Sequence, residues 1–252
     1  ALDAGLPPST IHIESASPQG GGLGASSALA VATLAAAEAL AGQEASSALQ
    51  LATRARDIEA QLMSLPPGVQ DHFPALWGGA REIEYRPGGE RVRNLDVDLG
   101  SLGDRLLVAN TGRSHFSAGT NWRIVRRRLD GDAQTIELFD GIRDTARQLP
   151  AVLEGSDWQS VGRLVAQEWG FRSRLAEGIS TPDIEAMLGA AEREGAWGGK
   201  ACGAGGGGCI VVLCPVERRP RIAEALEAVG ARILPARPAA GGLEIDLQSS
   251  PS

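Results

Sequence analysis

A cluster of glycines directly ahead of a run of small helix-forming residues constrains this chain more than any other feature. Residues 17–40 read SPQGGGLGASSALAVATLAAAEAL. The first turn of a helix carries unpaired backbone N–H groups and the positive end of the helix dipole. A glycine approach lets an anion reach those groups without meeting a side chain. The segment therefore predicts an anion-binding loop followed by a helix that ends at Gly42.

Residues 20–25 also satisfy the G-x-G-x-x-A pattern of dinucleotide-binding proteins. That reading requires a second strand that ends in an acidic residue, whereas here another helix follows, over about residues 46–63. A Walker loop needs G-x-x-x-x-G-K-[ST], but the Gly199-Lys200 pair is followed by alanine. A phosphate loop with hydroxyls at Ser26 and Ser27 remains; these serines would either cap the helix or bind a phosphate-bound magnesium.

A second segment without side chains, GAGGGG, covers residues 203–208. Lys200 precedes it, and the apolar strand CIVVLCP follows it directly. Two such loops in one chain predict contacts to both ends of a polyphosphate, or to a phosphate and an adjacent substrate. The alternative for the second loop is a glycine linker.

Two carboxylates are candidates for phosphoryl-transfer chemistry, which needs charge neutralisation and a group that orients or deprotonates the attacking hydroxyl. Asp71 lies in PPGVQDHFPALWGG, a proline- and glycine-rich turn, where the alternative role is to stabilise that turn. Glu59 lies at the core-facing edge of the second predicted helix and is either solvated or directed at a cation. His72 is interpreted as a structural residue.

Composition excludes some partners and indicates a cellular location. The net charge of −7 argues against a nucleic-acid partner, and the basic run RIVRRR, residues 123–128, is interpreted as a solvated helix face. No apolar run is long enough to cross a membrane and no secretory leader is expected. The three cysteines lack zinc-site spacing and predict reduced thiols, as in the cytoplasm.

Hydrophobic periodicity predicts an α+β fold in two parts. TIHIESAS is predicted as a strand, AREIEYRP and RVRNLDVDL as a strand pair, and DRLLVANTG as a buried strand. Residues 120–194 are predicted mostly helical, and GLEIDL as a short final strand. We place the boundary near residue 105, with a nucleotide- and phosphate-binding half at 1–105 and a mostly helical half with the second glycine loop at 106–252.

Three stretches together resemble the galactose, homoserine, mevalonate and phosphomevalonate (GHMP) family of small-molecule kinases: SPQGGGLGASSAL, GVQDHFPALWGG and KACGAGGGGCIVVL. The resemblance implies a two-domain α+β fold that uses ATP and Mg²⁺. It makes Ser26 and Glu59 the metal ligands and Asp71 the catalytic residue. The nucleotide-binding residues that it implies are Gly20, Gly22, Leu23, Gly24, Ala25, Ser26 and Ser27.

QDHFPALWGG and NTGRSHFSAGTNW are most similar to the sugar and heptose-phosphate kinase branch of that family. This branch implies phosphorylation of a hydroxyl of a sugar or sugar phosphate by direct transfer, with no nucleic-acid or membrane partner and no prediction of oligomeric state. The residues expected to contact phosphate or substrate are Gln70, Thr111, Arg113, Ser114, His115, Lys200, Gly203, Ala204, Gly205 and Gly206.

The chain departs from the family pattern at several places. Ala25 stands where many members carry a hydroxyl residue, and Cys202 replaces a common serine. Members also begin with an N-terminal strand and a glycine motif for the acceptor, so the N-terminal part of this chain is expected to be truncated. Two alternatives remain open: a catalytically inactive nucleotide-binding domain of the same family, and a dinucleotide-dependent oxidoreductase.

Overall fold

A computed structural model of the chain describes residues 10–42, 46–64, 68, 70–113 and 118–246. These residues form two compact units. The first unit contains Gly24–Arg93 with the described residues of the 1–16 and 239–252 segments; the second contains Ser17–Leu23 and Asn94–Pro238. The domain boundary near residue 105, between a nucleotide- and phosphate-binding half and a mostly helical half, stays a prediction.

The first unit combines helices with a two-stranded hairpin. Its core joins the apolar faces of the three helices and includes Val31, Leu51 and Phe73. The second helix begins at a capping box, in which the Ser47 side chain accepts from the backbone of Gln50 and the Gln50 side chain accepts from the backbone of Ser47. The elements are α1 (Ala25–Leu40), α2 (Ala48–Met63), α3 (His72–Trp77), β1 (Ala80–Arg86) and β2 (Gly89–Leu95), of which the last two residues belong to the second unit.

The second unit packs helices around a four-stranded antiparallel sheet of order β4-β5-β3-β6. Strand β5 is the most apolar and is buried along its length except at Val211. Several helices start at a cap residue, such as Asp132, Asp157 and Thr181, whose side chain accepts a backbone N–H. The elements are α4 (Leu99–Arg105), β3 (Leu106–Asn110), α5 (Ala118–Leu129), α6 (Ala133–Ala146), α7 (Leu149–Glu154), α8 (Trp158–Arg172), α9 (Pro182–Arg193), β4 (Gly198–Ala201), β5 (Cys209–Leu213), a 3₁₀ turn (Val216–Arg218), α10 (Arg219–Ala228) and β6 (Arg232–Leu234).

The α+β class is confirmed, and two predicted strands are wrong. Residues 10–17 form no strand, and the apolar positions of their alternating pattern, Ile11 and Ile13, face solvent rather than a core. The described residues of GLEIDL form no strand either, because the backbone there bonds to the end of α3: Leu243 N–H donates to the Leu76 carbonyl at 3.2 Å. Among the described residues, no helix has both the length and the apolar character needed to cross a membrane.

Helix α3 occupies a segment that sequence reasoning treated as a helix-breaking turn. Pro74 is its third residue, where the first turn leaves backbone N–H groups without an intrahelical partner, so proline is tolerated there. The helix ends at Gly78, whose φ of +61° favours glycine. This short helix is what positions Asp71 and His72.

Candidate active site

The two glycine loops predicted from sequence pack backbone against backbone within the second unit. Gly22 has a φ of +69°, and a Cβ atom added there would lie 2.8 Å from the carbonyl oxygen of Cys202. Gly203 faces it, since an added Cβ would lie 3.1 Å from the Cα of Gly22. The Cys209 N–H also donates to the Gly21 carbonyl at 3.0 Å. The glycines are therefore needed for the approach of one loop to the other.

The second glycine loop is also held from another side by Ile179, a residue that sequence reasoning missed. The Gly206 N–H donates to the Ile179 carbonyl at 2.7 Å. Gly205 has a φ of +81°, and an added Cβ would lie 2.5 Å from the same carbonyl oxygen. A loop fixed on two sides in this way is part of the packed unit, which does not fit the linker alternative.

Thr111 follows β3 and is bonded to the second glycine loop. It is buried, and both its N–H and its hydroxyl donate to the Gly208 carbonyl, at 2.8 and 2.9 Å. Gly208 in turn donates to the Arg113 carbonyl at 2.7 Å. The Arg113 side chain is exposed and pairs with Asp183 at the start of α9. The other two residues predicted in this segment, Ser114 and His115, lie outside the described residues.

Lys200 lies on β4 just ahead of the second loop and shares a buried carboxylate with Arg172. Glu168 of α8, with its side chain 8% exposed, accepts from the Lys200 Nζ and from the Arg172 guanidinium, both at 2.5 Å. Burial raises the pKa of Glu168, but the two cations outweigh it and hold that pKa below its ordinary value. Burial also lowers the pKa of Lys200, against the opposing effect of Glu168. Two positive charges on one carboxylate leave the base of the loop with a surplus positive charge.

Replacing Glu168 by glutamine is expected to lower the free energy of unfolding by about 2 kcal/mol, since removal of the buried carboxylate leaves two half-buried cations uncompensated. Because the pKa of Glu168 is lowered in the folded protein, its stabilising effect is present at neutral pH. That effect is lost as the pH falls below 4.5 and through the folded-state pKa. Urea denaturation of wild type and Glu168→Gln across this range measures both effects.

A matched control for this variant is Asp130→Asn, which removes one partner of an exposed i,i+4 pair with Arg126. The control is expected to cost less than about 0.5 kcal/mol at any pH. Equal losses for the two variants, or a Glu168→Gln loss that persists unchanged at acid pH, would contradict a buried, ionised Glu168.

The remaining predicted residues of the first loop, Gly24 to Ser27, belong to the first unit, where Gly24 lies against Asp71. A Cβ atom added to Gly24 would lie 3.1 Å from the Cβ of Asp71. Asp71 precedes α3 but gives that helix no side-chain cap, which does not fit the alternative of a turn-stabilising aspartate. Instead its carboxylate bonds to the Gln70 side chain. Burial raises the pKa of Asp71, with Gln70 and His72 opposing that shift and nearby Glu59 adding to it.

Glu59 of α2 contacts a serine of α1 and the histidine of α3. The Ser27 hydroxyl donates to Glu59 Oε2 at 3.4 Å, and His72 Nε2 lies 2.6 Å from the same oxygen. Ser27 is buried, whereas Ser26, predicted as the metal ligand, is exposed. Helix α1 has Gly24 as its N-cap, with no side-chain hydrogen bond there, so the serines do not act as caps at that position. That Ser26 and Glu59 together bind a metal ion stays a prediction. The structure places Ser27 and His72 in contact with Glu59, and these three residues form the cluster around Glu59.

Comparisons with known proteins identify the family and the fold of the chain. The profile of the GHMP kinases N terminal domain matches residues 1–79, and that of the GHMP kinases C terminal domain matches residues 148–232. The fold is similar to that of Lactococcus lactis galactokinase complexed with galactose, with a TM-score of 0.72 at 16% identity over 89% of this chain and 68% of the galactokinase. The chain belongs to the GHMP kinase family.

Two curated relatives show how much of a family member this chain spans. It is 30% identical to a mevalonate kinase of Methanothermobacter thermautotrophicus over 82% of this chain and 65% of that enzyme. It is 26% identical to the D-glycero-alpha-D-manno-heptose 7-phosphate kinase of Campylobacter jejuni over 86% of this chain and 64% of that enzyme. The chain thus spans a little under two thirds of the length of each.

The residues present fit a magnesium nucleotide better than a metal ion alone. No group of three or more His, Cys, Asp or Glu side chains that could hold a metal occurs among the described residues. Mg²⁺ in phosphoryl-transfer sites takes one or two carboxylates and completes its shell with phosphate oxygens and water, which suits Glu59 and a serine hydroxyl. The uncapped N-terminus of α1 and the glycine backbone before it suit the phosphates.

Proposed function

We propose that the protein is an ATP-dependent kinase that transfers a phosphoryl group directly to a hydroxyl of a sugar or sugar phosphate. The observation that carries this proposal is the position of Asp71, which lies against Gly24 at the end of the first glycine loop and leaves α3 uncapped. A half-buried carboxylate with a raised pKa beside a phosphate loop suits a group that accepts the proton of an attacking alcohol.

In the proposed mechanism, the backbone N–H groups at the start of α1 bind phosphate oxygens and fix the nucleotide. Glu59 and a serine of α1 would hold Mg²⁺, which would supply neutralisation of the charge on the phosphates. Asp71 orients the acceptor hydroxyl and takes its proton as the oxygen attacks the terminal phosphorus. ADP leaves with the electron pair of the broken P–O bond. Because the acceptor oxygen itself attacks the phosphorus, no phosphorylated enzyme intermediate forms.

The second glycine loop is proposed to contact the transferred phosphate and the acceptor. Its packing on residues 20–22 supports this role, because it brings the two loops together within the second unit. Lys200 and Arg172 carry two positive charges against the single negative charge of Glu168, and this surplus supports binding of an anion at the base of the second glycine loop. In that role Lys200 contributes through its charge, since its ammonium already binds Glu168.

The free thiols Cys202, Cys209 and Cys214 support the proposed cytoplasmic location.

Mevalonate is a second candidate acceptor, favoured by the 30% identity to an archaeal mevalonate kinase. ADP release by the full protein, measured with hexoses, heptose phosphates and mevalonate in parallel, distinguishes the two acceptor classes. Turnover on a sugar or sugar phosphate supports the proposal. Turnover on mevalonate alone would contradict the proposed acceptor class and identify mevalonate as the acceptor. Magnesium-dependent ATP binding without turnover on any acceptor would favour the inactive domain, and tighter binding of NADH than of ATP would favour the oxidoreductase.

A further inference from the structure

His72 is the most buried polar group of the cluster around Glu59. It is the first residue of α3, and its side chain is 1% exposed. One ring nitrogen, Nε2, lies 2.6 Å from Glu59 Oε2, while the other, Nδ1, is buried and has no hydrogen-bond partner among the described residues. The two nitrogens therefore face very different surroundings, since of the two only Nε2 has a hydrogen-bond partner among the described residues.

These surroundings make Nε2 the donor to Glu59. A carboxylate facing Nε2 requires a donor there, and Nε2–H supplies it. His72 thus donates to Glu59, in the manner of the partners that orient metal-binding carboxylates in other sites.

The hydrogen bonds to Glu59 both fall on one oxygen. Ser27 and His72 donate to Oε2, whereas Oε1 receives no donor in the described part of the chain. A glutamate side chain has considerable rotamer freedom, which a single 3.4 Å contact to Ser27 would restrict only weakly. The short bond from a buried ring on α3 fixes the carboxylate and leaves Oε1 available.

We propose that His72 is a positioning residue that holds Glu59 so that its Oε1 is presented to the magnesium of the bound nucleotide. The proposal rests on the proposed kinase function, because it assigns Glu59 to that cation. Partners of this kind typically change metal affinity 10- to 100-fold when they are removed. The inference gives a role to a residue that sequence reasoning interpreted as structural.

Two substitutions of His72 distinguish the effect of its hydrogen bond to Glu59 from the effect of the size of its ring. The amide nitrogen of glutamine reaches about as far as Nε2 and can replace that donor, whereas the shorter asparagine amide reaches only to the position of Nδ1. In His72→Asn we expect Mg²⁺ binding to the protein saturated with a non-hydrolysable ATP analogue to weaken 10- to 100-fold. In His72→Gln we expect it to stay within about threefold of wild type. Calorimetric titration of Mg²⁺ measures both.

A destabilised control shows whether loss of packing alone affects the metal. Leu76→Val truncates a buried side chain of α3 in the same core as Phe73 and is expected to leave Mg²⁺ affinity unchanged. Both His72 variants lose ring packing and are expected to unfold at lower urea concentrations than wild type. Stability therefore does not distinguish a structural from a positioning role, but the rescue of metal affinity by glutamine does.

The outcomes separate this inference from the function on which it rests. Wild type that binds no Mg²⁺ with the ATP analogue overturns the kinase proposal and the role of His72 together. Wild type that binds Mg²⁺ while His72→Asn binds it equally well, or while His72→Gln binds it as weakly as His72→Asn, overturns only the role of His72. The ¹⁵N spectrum of the wild-type ring gives a measurement that needs no variant, because an unprotonated Nε2 would contradict the inference.

Discussion

Asp71→Asn is expected to lower turnover by about two to four orders of magnitude while the affinity for ATP stays close to that of wild type. Asparagine keeps the shape of the side chain and its contact with Gly24 but cannot accept a proton from the acceptor hydroxyl. The measurement is steady-state ADP release at saturating acceptor, combined with a binding titration of the nucleotide.

The stability of Asp71→Asn provides an independent check. Because burial raises the pKa of Asp71 in the folded protein, its ionised form opposes folding at neutral pH. Removing that charge is expected to leave the free energy of unfolding unchanged or higher, a pattern typical of residues kept for function. Asp57→Asn, at an exposed aspartate paired with Arg56, serves as the control and should retain full turnover. Near-wild-type turnover in Asp71→Asn would exclude Asp71 as the proton acceptor.

Gly22→Ala is expected to lower the free energy of unfolding by about 3 kcal/mol and to abolish measurable ATP binding. About 1 kcal/mol comes from the left-handed conformation of the backbone at φ +69°, and about 2 kcal/mol from the forced contact with the Cys202 carbonyl. The two loops must separate to accept the methyl group, so the phosphate-binding backbone is displaced. Urea denaturation and a nucleotide titration measure the two effects.

Gly42→Ala is the matched control for this substitution. Gly42 ends the turn after α1 with a φ of +63°, and an added Cβ would meet nothing within 4 Å. It therefore carries the same backbone strain without the steric contact, and its expected cost is about 1 kcal/mol with ATP binding intact. Equal losses of stability in the two variants would show that the loops are not in tight contact at Gly22.

Helix boundaries followed from local sequence because the residues that start and stop helices act locally. Gly24 and Gly42 flank α1, and Thr181 followed by Pro182 begins α9, all of which can be recognised without knowledge of the fold. The strand predicted at TIHIESAS failed for the opposite reason. An alternating pattern forms a strand only if a neighbouring strand pairs with its backbone and another layer covers its apolar face, and both are set by tertiary structure.

The details of the candidate site depended on tertiary packing that the sequence does not reveal. Successive helical residues point about 100° apart, so only one of the adjacent Ser26 and Ser27 can face Glu59, and two identical residue types give no basis for choosing. His72 gained its partner only because α3 packs on α2. Lys200 was predicted from its position next to a glycine loop, but its ion-pair partner Glu168 lies 32 residues earlier, on α8.

The contact between the two glycine loops also has a consequence for biosynthesis. Gly22 leaves the ribosome about 180 residues before Gly203, the residue on which it rests. Until the strands on either side of residues 202–209 have emerged, the first loop has no surface against which to take its native shape. The nascent protein is therefore expected to acquire the proposed nucleotide affinity only once the second glycine loop has been made, well after α1 itself can form.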